Sequence, residues 1–274
     1  MNKLWLGVFA AALVGGWFLW SSHQGMEWRD QLYSYVDNKD IVTLESKFSP
    51  QQVIALHRAQ LVGKDKKEIQ EPLIEYYPYL LLDVKYTEDY KPREGALLWD
   101  LTSGEIVVNT ATWELTHGFK DCLECEATAQ NFRVIQVLAK RGGTMTLEEL
   151  QRELKLDSDS VGAMVDSAKR KHLIVQNGSL VKLHFENPRF LIQPETHIKQ
   201  ELVSKPYQIS EKKGRVYSRS QVIALSKAAF GHDFKIRSEK EIFLPVYKIN
   251  VINPDGSVYT SFWNALTGQP FYKH

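Results

Sequence analysis

Two stretches of this chain carry the same text in the same order, and that repetition restricts the fold more than any composition figure does. Residues 49–59 read SPQQVIALHRA and residues 218–228 read SRSQVIALSKA, with Gln-Val-Ile-Ala-Leu identical at 52–56 and 221–225. Downstream, Pro78-Tyr79-Leu80-Leu81-Leu82-Asp83-Val84 matches Pro245-Val246-Tyr247-Lys248-Ile249-Asn250-Val251 in pattern. Trp99-Asp100-Leu101-Thr102-Ser103-Gly104-Glu105 then matches Trp263-Asn264-Ala265-Leu266-Thr267-Gly268-Gln269. Three blocks in one order mean that the chain builds one kind of unit twice.

Each copy has a local physical reading. Ser49 and Ser218 are helix N-caps, their hydroxyls able to accept the first free amide hydrogens. Val53, Leu56 and Gln60 recur at helical spacing, and Ala55 with Ala59 keeps one side small for close packing. His57, opposite Ser226 in the second copy, reads as a surface position. The segments at Pro78 and Pro245 alternate as strands. Asn253-Pro254-Asp255-Gly256 turns the second copy back into a strand from Val258 to Trp263, and the first copy makes the same excursion through a longer loop, Glu88 to Gly95. Gly104 and Gly268 supply tight turns, since glycine takes positive φ at no steric cost. Trp99 and Trp263 read as equivalent core anchors.

A helix followed by such a hairpin resembles the PepSY family of small exported or membrane-linked α+β modules. The resemblance is carried by LPVYKINVINPDGSVYTSFWNALTGQPF, from Leu244 to Phe271, and more loosely by the first copy, which lacks the Asp-Gly turn. It covers roughly residues 48–108 and 217–272. It implies a binding or inhibitory module and supplies no catalytic residues.

Between the copies the pattern changes. Phe132, Ile135, Val137 and Leu138 mark a helix that stops at Gly142-Gly143. Thr146 with Glu149 forms a capping box that opens a second helix, Leu147 to Leu154. Asp157 or Ser158 caps a third, carrying Val161, Met164, Val165 and Ala168 on one face. Two strands about Asn177-Gly178 follow. Three helices and a hairpin resemble a winged helix, a fold that grips DNA or docks proteins. Charge speaks against nucleic acid. The third helix opens with Asp157 and Asp159 where phosphates would lie, and the whole chain balances 34 basic against 33 acidic residues.

Cys122-x-x-Cys125 sits at the entrance to this segment. Zinc is the one cofactor these residues could take, with His117 as a third ligand, but a single pair leaves the site incomplete. Glu126 in place of histidine excludes haem attachment, and no βαβ unit surrounds the pair as in a thioredoxin-like centre. A local disulfide, suited to an exported body, and free thiols stay open beside zinc. No phosphate-binding loop, dinucleotide fingerprint or nucleophile elbow occurs.

Leu4 to Trp20 has no charged side chain. Its seventeen residues reach about 25 Å, the short end of a bilayer crossing. Trp17-Phe18-Leu19-Trp20 occupies the place where a cleavable signal would carry small residues, which favours an uncleaved anchor. Lys3 precedes the span, while Glu27, Arg29 and Asp30 nearly cancel after it, so the body is expected outside the cytoplasm.

The chain therefore reads as an α+β protein. Its parts are a transmembrane anchor at 4–20, a first PepSY-like unit at 26–118, a winged-helix-like module at 119–187, and a connector with a second unit at 188–274. The expected role is a non-enzymatic adaptor in the inner membrane, its body in the periplasm or extracytoplasmic space. Its partners would be the bilayer and an unidentified protein. The rivals are a membrane-tethered transcription regulator facing the cytoplasm and a thiol-disulfide or metal-binding factor built on the cysteine pair.

Overall fold

The computed structural model describes residues 40–63, 67–185, 187–208 and 211–272. The expected anchor at 4–20 lies outside the described residues. Among those described, no helix is long and apolar enough to cross a membrane. Strand β1 (Ile41–Leu44) opens the described chain. The first repeat adds α1 (Pro50–Leu56), α2 (Arg58–Val62), β2 (Glu68–Ile69), β3 (Leu73–Glu88), β4 (Lys91–Asp100) and β5 (Ile106–Asn109), followed by β6 (Glu114–Leu115). The middle segment holds α3 (Phe119–Glu124), α4 (Ala129–Lys140), β7 (Thr144–Thr146), α5 (Leu147–Leu154), α6 (Ser158–Arg170), β8 (Ile174–Asn177) and β9 (Leu180–Leu183). After β10 (Leu202–Lys205) the second repeat supplies α7 (Arg219–Phe230), β11 (Lys235–Ile252) and β12 (Val258–Asn264). The architecture is mixed α+β, with seven helices among the described residues and one large mixed sheet.

The two repeats share that sheet. Its path runs β10-β1-β11-β3-β4-β5-β6, with β12 and β2 also paired to β11. At its centre β3 and β11 run antiparallel, Pro78 opposite Phe243 and Tyr76 opposite Pro245. Exchanging the repeats maps this pairing onto itself, so a pseudo-two-fold axis passes through the Tyr77–Leu244 pair. The hairpins obey the same axis: Leu80 lies opposite Trp99, and Tyr247 opposite Trp263. Both prolines stand where a hairpin ladder begins. Each lends only its carbonyl, to Leu101 at 3.2 Å and to Ala265 at 3.1 Å, so the missing amide hydrogen removes no ladder bond. The turns repeat bond for bond. Asp100 Oδ1 accepts from the amide of Thr102 at 2.7 Å, and Asn264 Oδ1 from that of Leu266 at 2.8 Å.

The helices are exchanged between the repeats, each packing on the other repeat's hairpin. Val53 and Leu61 of the first repeat share a core with Tyr247, Ile249, Val251 and Trp263 of the second. Val222 and Leu225 of the second share one with Leu80, Leu82 and Trp99 of the first. The approach to each helix fixes the exchange. The amides of Lys47 and Phe48 both donate to Ala265 O, and those of Val216 and Tyr217 both donate to Leu101 O, the equivalent carbonyl. Each turn glycine faces the aromatic residue before the other repeat's helix. A Cβ on Gly104 would meet Tyr217 at 2.8 Å, and one on Gly268 would meet Phe48 at 3.4 Å.

Two expectations for the first copy are overturned. Its helix breaks at His57, which is the C-cap of α1 and the N-cap of α2, and Leu56 is 64% exposed, with Ala55 and Ala59 on the surface. His57 itself is half-buried against the second hairpin, so the spacing through Leu56 and Gln60 was not the packing face. The Glu88–Gly95 loop is also absent. The strands run on to Glu88 and resume at Lys91, with Asp89 (φ 47°) and Tyr90 (φ 62°) forming a two-residue turn.

The middle segment forms its three helices and then a hairpin, with β7 joining to give a three-stranded sheet of order β7-β9-β8. One continuous core runs from Leu80 and Trp99 through Phe119, Phe132 and Ile135 to Val222. Gln136 Nε2 on α4 donates to Ala229 O on α7 at 2.9 Å. The opposite face of the large sheet buries Tyr77, Tyr79, Leu98, Ile242, Leu244 and Val246, with Trp113, Ile198 and Phe271 against them.

Candidate functional site

The site is organised by a buried carboxylate. Glu105 leaves the first hairpin turn, and its two oxygens accept from Thr116 Oγ1 (2.7 Å) and the amides of Gly118 (2.9 Å), Lys120 (3.2 Å) and Phe119 (3.3 Å). The three amides are the orphan donors at the start of α3, and a carboxylate is the acceptor best matched to them. Gly118 permits this approach because it takes φ 105° with Phe190 at 2.7 Å from where a Cβ would stand. So fixed, α3 directs Phe119, Cys122 and Leu123 into the core and leaves Asp121, Glu124 and Cys125 outward.

The outward side of α3 forms one wall of a cleft of about 490 Å³. His117 precedes the helix; Lys171 and His172 come from the end of α6, and His184 and Phe185 from the end of β9. Three of the chain's eight histidines therefore meet two carboxylates, a lysine and a thiol. Lys171 Nζ donates to Glu126 O at 2.5 Å, fastening α6 to the end of α3. Tyr217 of the second repeat donates its hydroxyl to Glu124 at 3.1 Å, and burial followed by that bond pushes the phenol up to about 12.

Of the states left open for the pair, Cys122 and Cys125 are here free thiols. Cys122 points into the core, while Cys125 caps α3 with its Sγ 3.7 Å from Cys122 O. Burial is the first cause raising both thiols above their usual range; Lys171 opposes the rise only at Cys125. Both are therefore protonated near neutral pH, which disfavours either as nucleophile or thiolate ligand. The proposed zinc trio is not assembled. His117 and Cys125 share the cleft, but Cys122 faces away from it. Among the described residues no group of three or more His, Cys, Asp or Glu side chains is placed to hold a metal ion. The cleft can instead hydrogen-bond a polar ligand through imidazoles and carboxylates.

The repeat residues lie elsewhere. Trp99 and Trp263 are 0% and 1% exposed, Pro78 and Pro245 are buried on the central strands, and Gly104 and Gly268 turn with φ 76° and 69°. Sequence reasoning missed Glu105, whose signal was its place at the end of the repeated turn, and also Lys171, His172 and His184, which no spacing rule connects. It missed Thr196 as well. That residue's hydroxyl accepts from the Leu98 amide (2.9 Å) and donates to Val107 O (2.6 Å), and its own amide donates to Ala96 O (2.7 Å). Compared with protein-family models, with curated proteins and with solved structures, the chain matches none.

Proposed function

We propose that this chain is a membrane-anchored, exported adaptor that works through protein–protein contacts in the cell envelope. Two PepSY-like units, exchanged helix for hairpin, would form its frame, and the segment α4–β9 would be a winged-helix module presented by that frame. Residues 4–20 would hold it in the bilayer.

The observation that carries this reading is the charge on the helix a winged helix would offer to DNA. Asp157 caps α6 with its carboxylate, Asp159 lies in the first turn, and Asp166 is exposed further along. The preceding α5 opens with Glu148 and Glu149, both exposed. Phosphates approaching there would meet carboxylates, whereas a protein surface of opposite charge would be drawn in.

Reporter fusions at the C-terminus of the full chain, with a DNA-binding salt series on the purified protein, test the reading. An exported C-terminus and no DNA affinity support it. A cytoplasmic C-terminus together with a steep loss of DNA binding as salt rises replaces it with a tethered gene regulator.

A further inference from the structure

We infer that the chain self-associates through β12, two copies pairing antiparallel about an axis at Tyr259. The strand lies at an edge of the sheet and pairs only with β11 among the described strands. Its bonding phase is set at both ends. Asn253 N–H donates to Ser257 O (2.8 Å) on the inner side, and Phe271 N–H donates to Phe262 O (2.7 Å) on the outer side. Alternation between them turns the amides and carbonyls of Val258 and Thr260 outward. Among the described residues nothing bonds them there.

The other hairpin shows that this position accepts an extended neighbour. Ala96 is the equivalent of Thr260, and its carbonyl takes the amide of Thr196 from the connecting segment. Among the described residues no such segment reaches Thr260. Other outer stretches carry the usual protections: Lys91-Pro92-Arg93-Glu94 on β4, Lys205-Pro206 at the end of β10, and Glu114 on β6. Val258-Tyr259-Thr260-Ser261-Phe262-Trp263-Asn264 has no charge, no proline and no glycine. A two-fold sets the strand antiparallel to a copy of itself, so a strand without charges meets its partner without like-charge repulsion.

With the axis at Tyr259, Val258 stands opposite Thr260 of the second copy. Each of those two pairs exchanges both backbone bonds, which gives about four in all. Tyr259, 52% exposed, meets its own counterpart, and Val258, 57% exposed, is covered. A register centred further along would compete with Phe271 for Phe262.

The test uses the full chain in mild detergent. Sedimentation equilibrium is expected to show a dimer, and Tyr259→Cys to form a covalent dimer on oxidation while Tyr90→Cys, fully exposed at the other hairpin tip, does not. Tyr259→Lys is expected to weaken dimerisation about tenfold or more, with the unfolding midpoint of the monomer unchanged. Thr260→Pro removes an outward amide together with the hydroxyl bond to Asn250 Oδ1 (2.8 Å), and should likewise weaken dimerisation. A monomer at every concentration overturns the inference, as does a dimer that neither cross-links at position 259 nor responds to Tyr259→Lys.

Discussion

The imidazole of His57 lies against the indole of Trp263, ring centroids 4.3 Å apart, and its Nε2 donates to the carbonyl of Gly268 at 2.8 Å. One side chain thus fastens the first repeat's helices to the second repeat's hairpin. At the equivalent place Ser226 turns inward and bonds Val222 O (2.8 Å), so α7 continues where α1 breaks. His57→Ala is expected to cost about 1–2 kcal/mol, read as a lower urea midpoint. Leu56→Ala, one residue away and exposed, should stay within about 0.5 kcal/mol of the parent.

The turn between β3 and β4 is strained in a way that can be relieved. Tyr90 holds φ 62° with its side chain fully exposed. A left-handed backbone costs a non-glycine residue about 1–2 kcal/mol, so Tyr90→Gly should stabilise the protein despite glycine's greater unfolded-state freedom. Thermal unfolding checks this; a lower melting temperature would show that the ring makes contacts that outweigh the strain.

Thr196 laces the connecting segment to both β4 and β5. Thr196→Val preserves shape but leaves the buried Leu98 amide without its acceptor, at an expected cost of about 1–3 kcal/mol. Thr196→Ser keeps the hydroxyl and should recover most of that loss in the same denaturation series.

Glu105→Ala frees three amides at the start of α3 and the Thr116 hydroxyl, and is expected to expose Cys122. Thiol-reagent labelling at neutral pH should be slow in the parent, fast in Glu105→Ala, and intermediate in Glu105→Gln, the side chain the second repeat carries at that position. Equal labelling in all three would remove Glu105 from its anchoring role.

Tyr86 and Tyr217 are both pushed up to about 12, by burial first and then by the hydroxyl bonds they donate to Glu195 and Glu124. The folded chain holds these protons more tightly than the unfolded chain does. Their contribution is therefore fully present below pH 10 and lost as pH climbs from 10 through 12. Tyrosinate absorbance should show late-ionising components that shrink in Tyr86→Phe and in Tyr217→Phe. Ionisation of both near 10 would contradict the burial argument.

Much of the frame could be read from residue order because its cues are local. Ser49 and Ser218 cap their helices as expected, and Thr146 does so with the Glu149 that spacing indicated. The equivalence of Trp99 and Trp263 follows from aligned blocks. The exchange of helices could not be read, because each helix presents apolar side chains that fit either of two like hairpins. What decides between them is the reach of the chain through Phe48 and Tyr217. The Asp89-Tyr90 turn stayed hidden since Tyr90 stands where such a turn usually carries glycine. The cleft was half legible: Cys125 and His117 lie near each other in sequence, but Lys171, His172 and His184 arrive only when α6 and β9 dock beside α3.

The crossed arrangement also sets a timetable for synthesis. His57 and Gly268 stand 211 residues apart, so the first helix leaves the ribosome with nowhere to bury Val53 until nearly all of the described chain has followed. The Trp99 hairpin likewise waits for α7. A nascent chain of this kind remains open through most of translation and closes late, in one concerted step, which makes it a natural client for holding chaperones while it is being made.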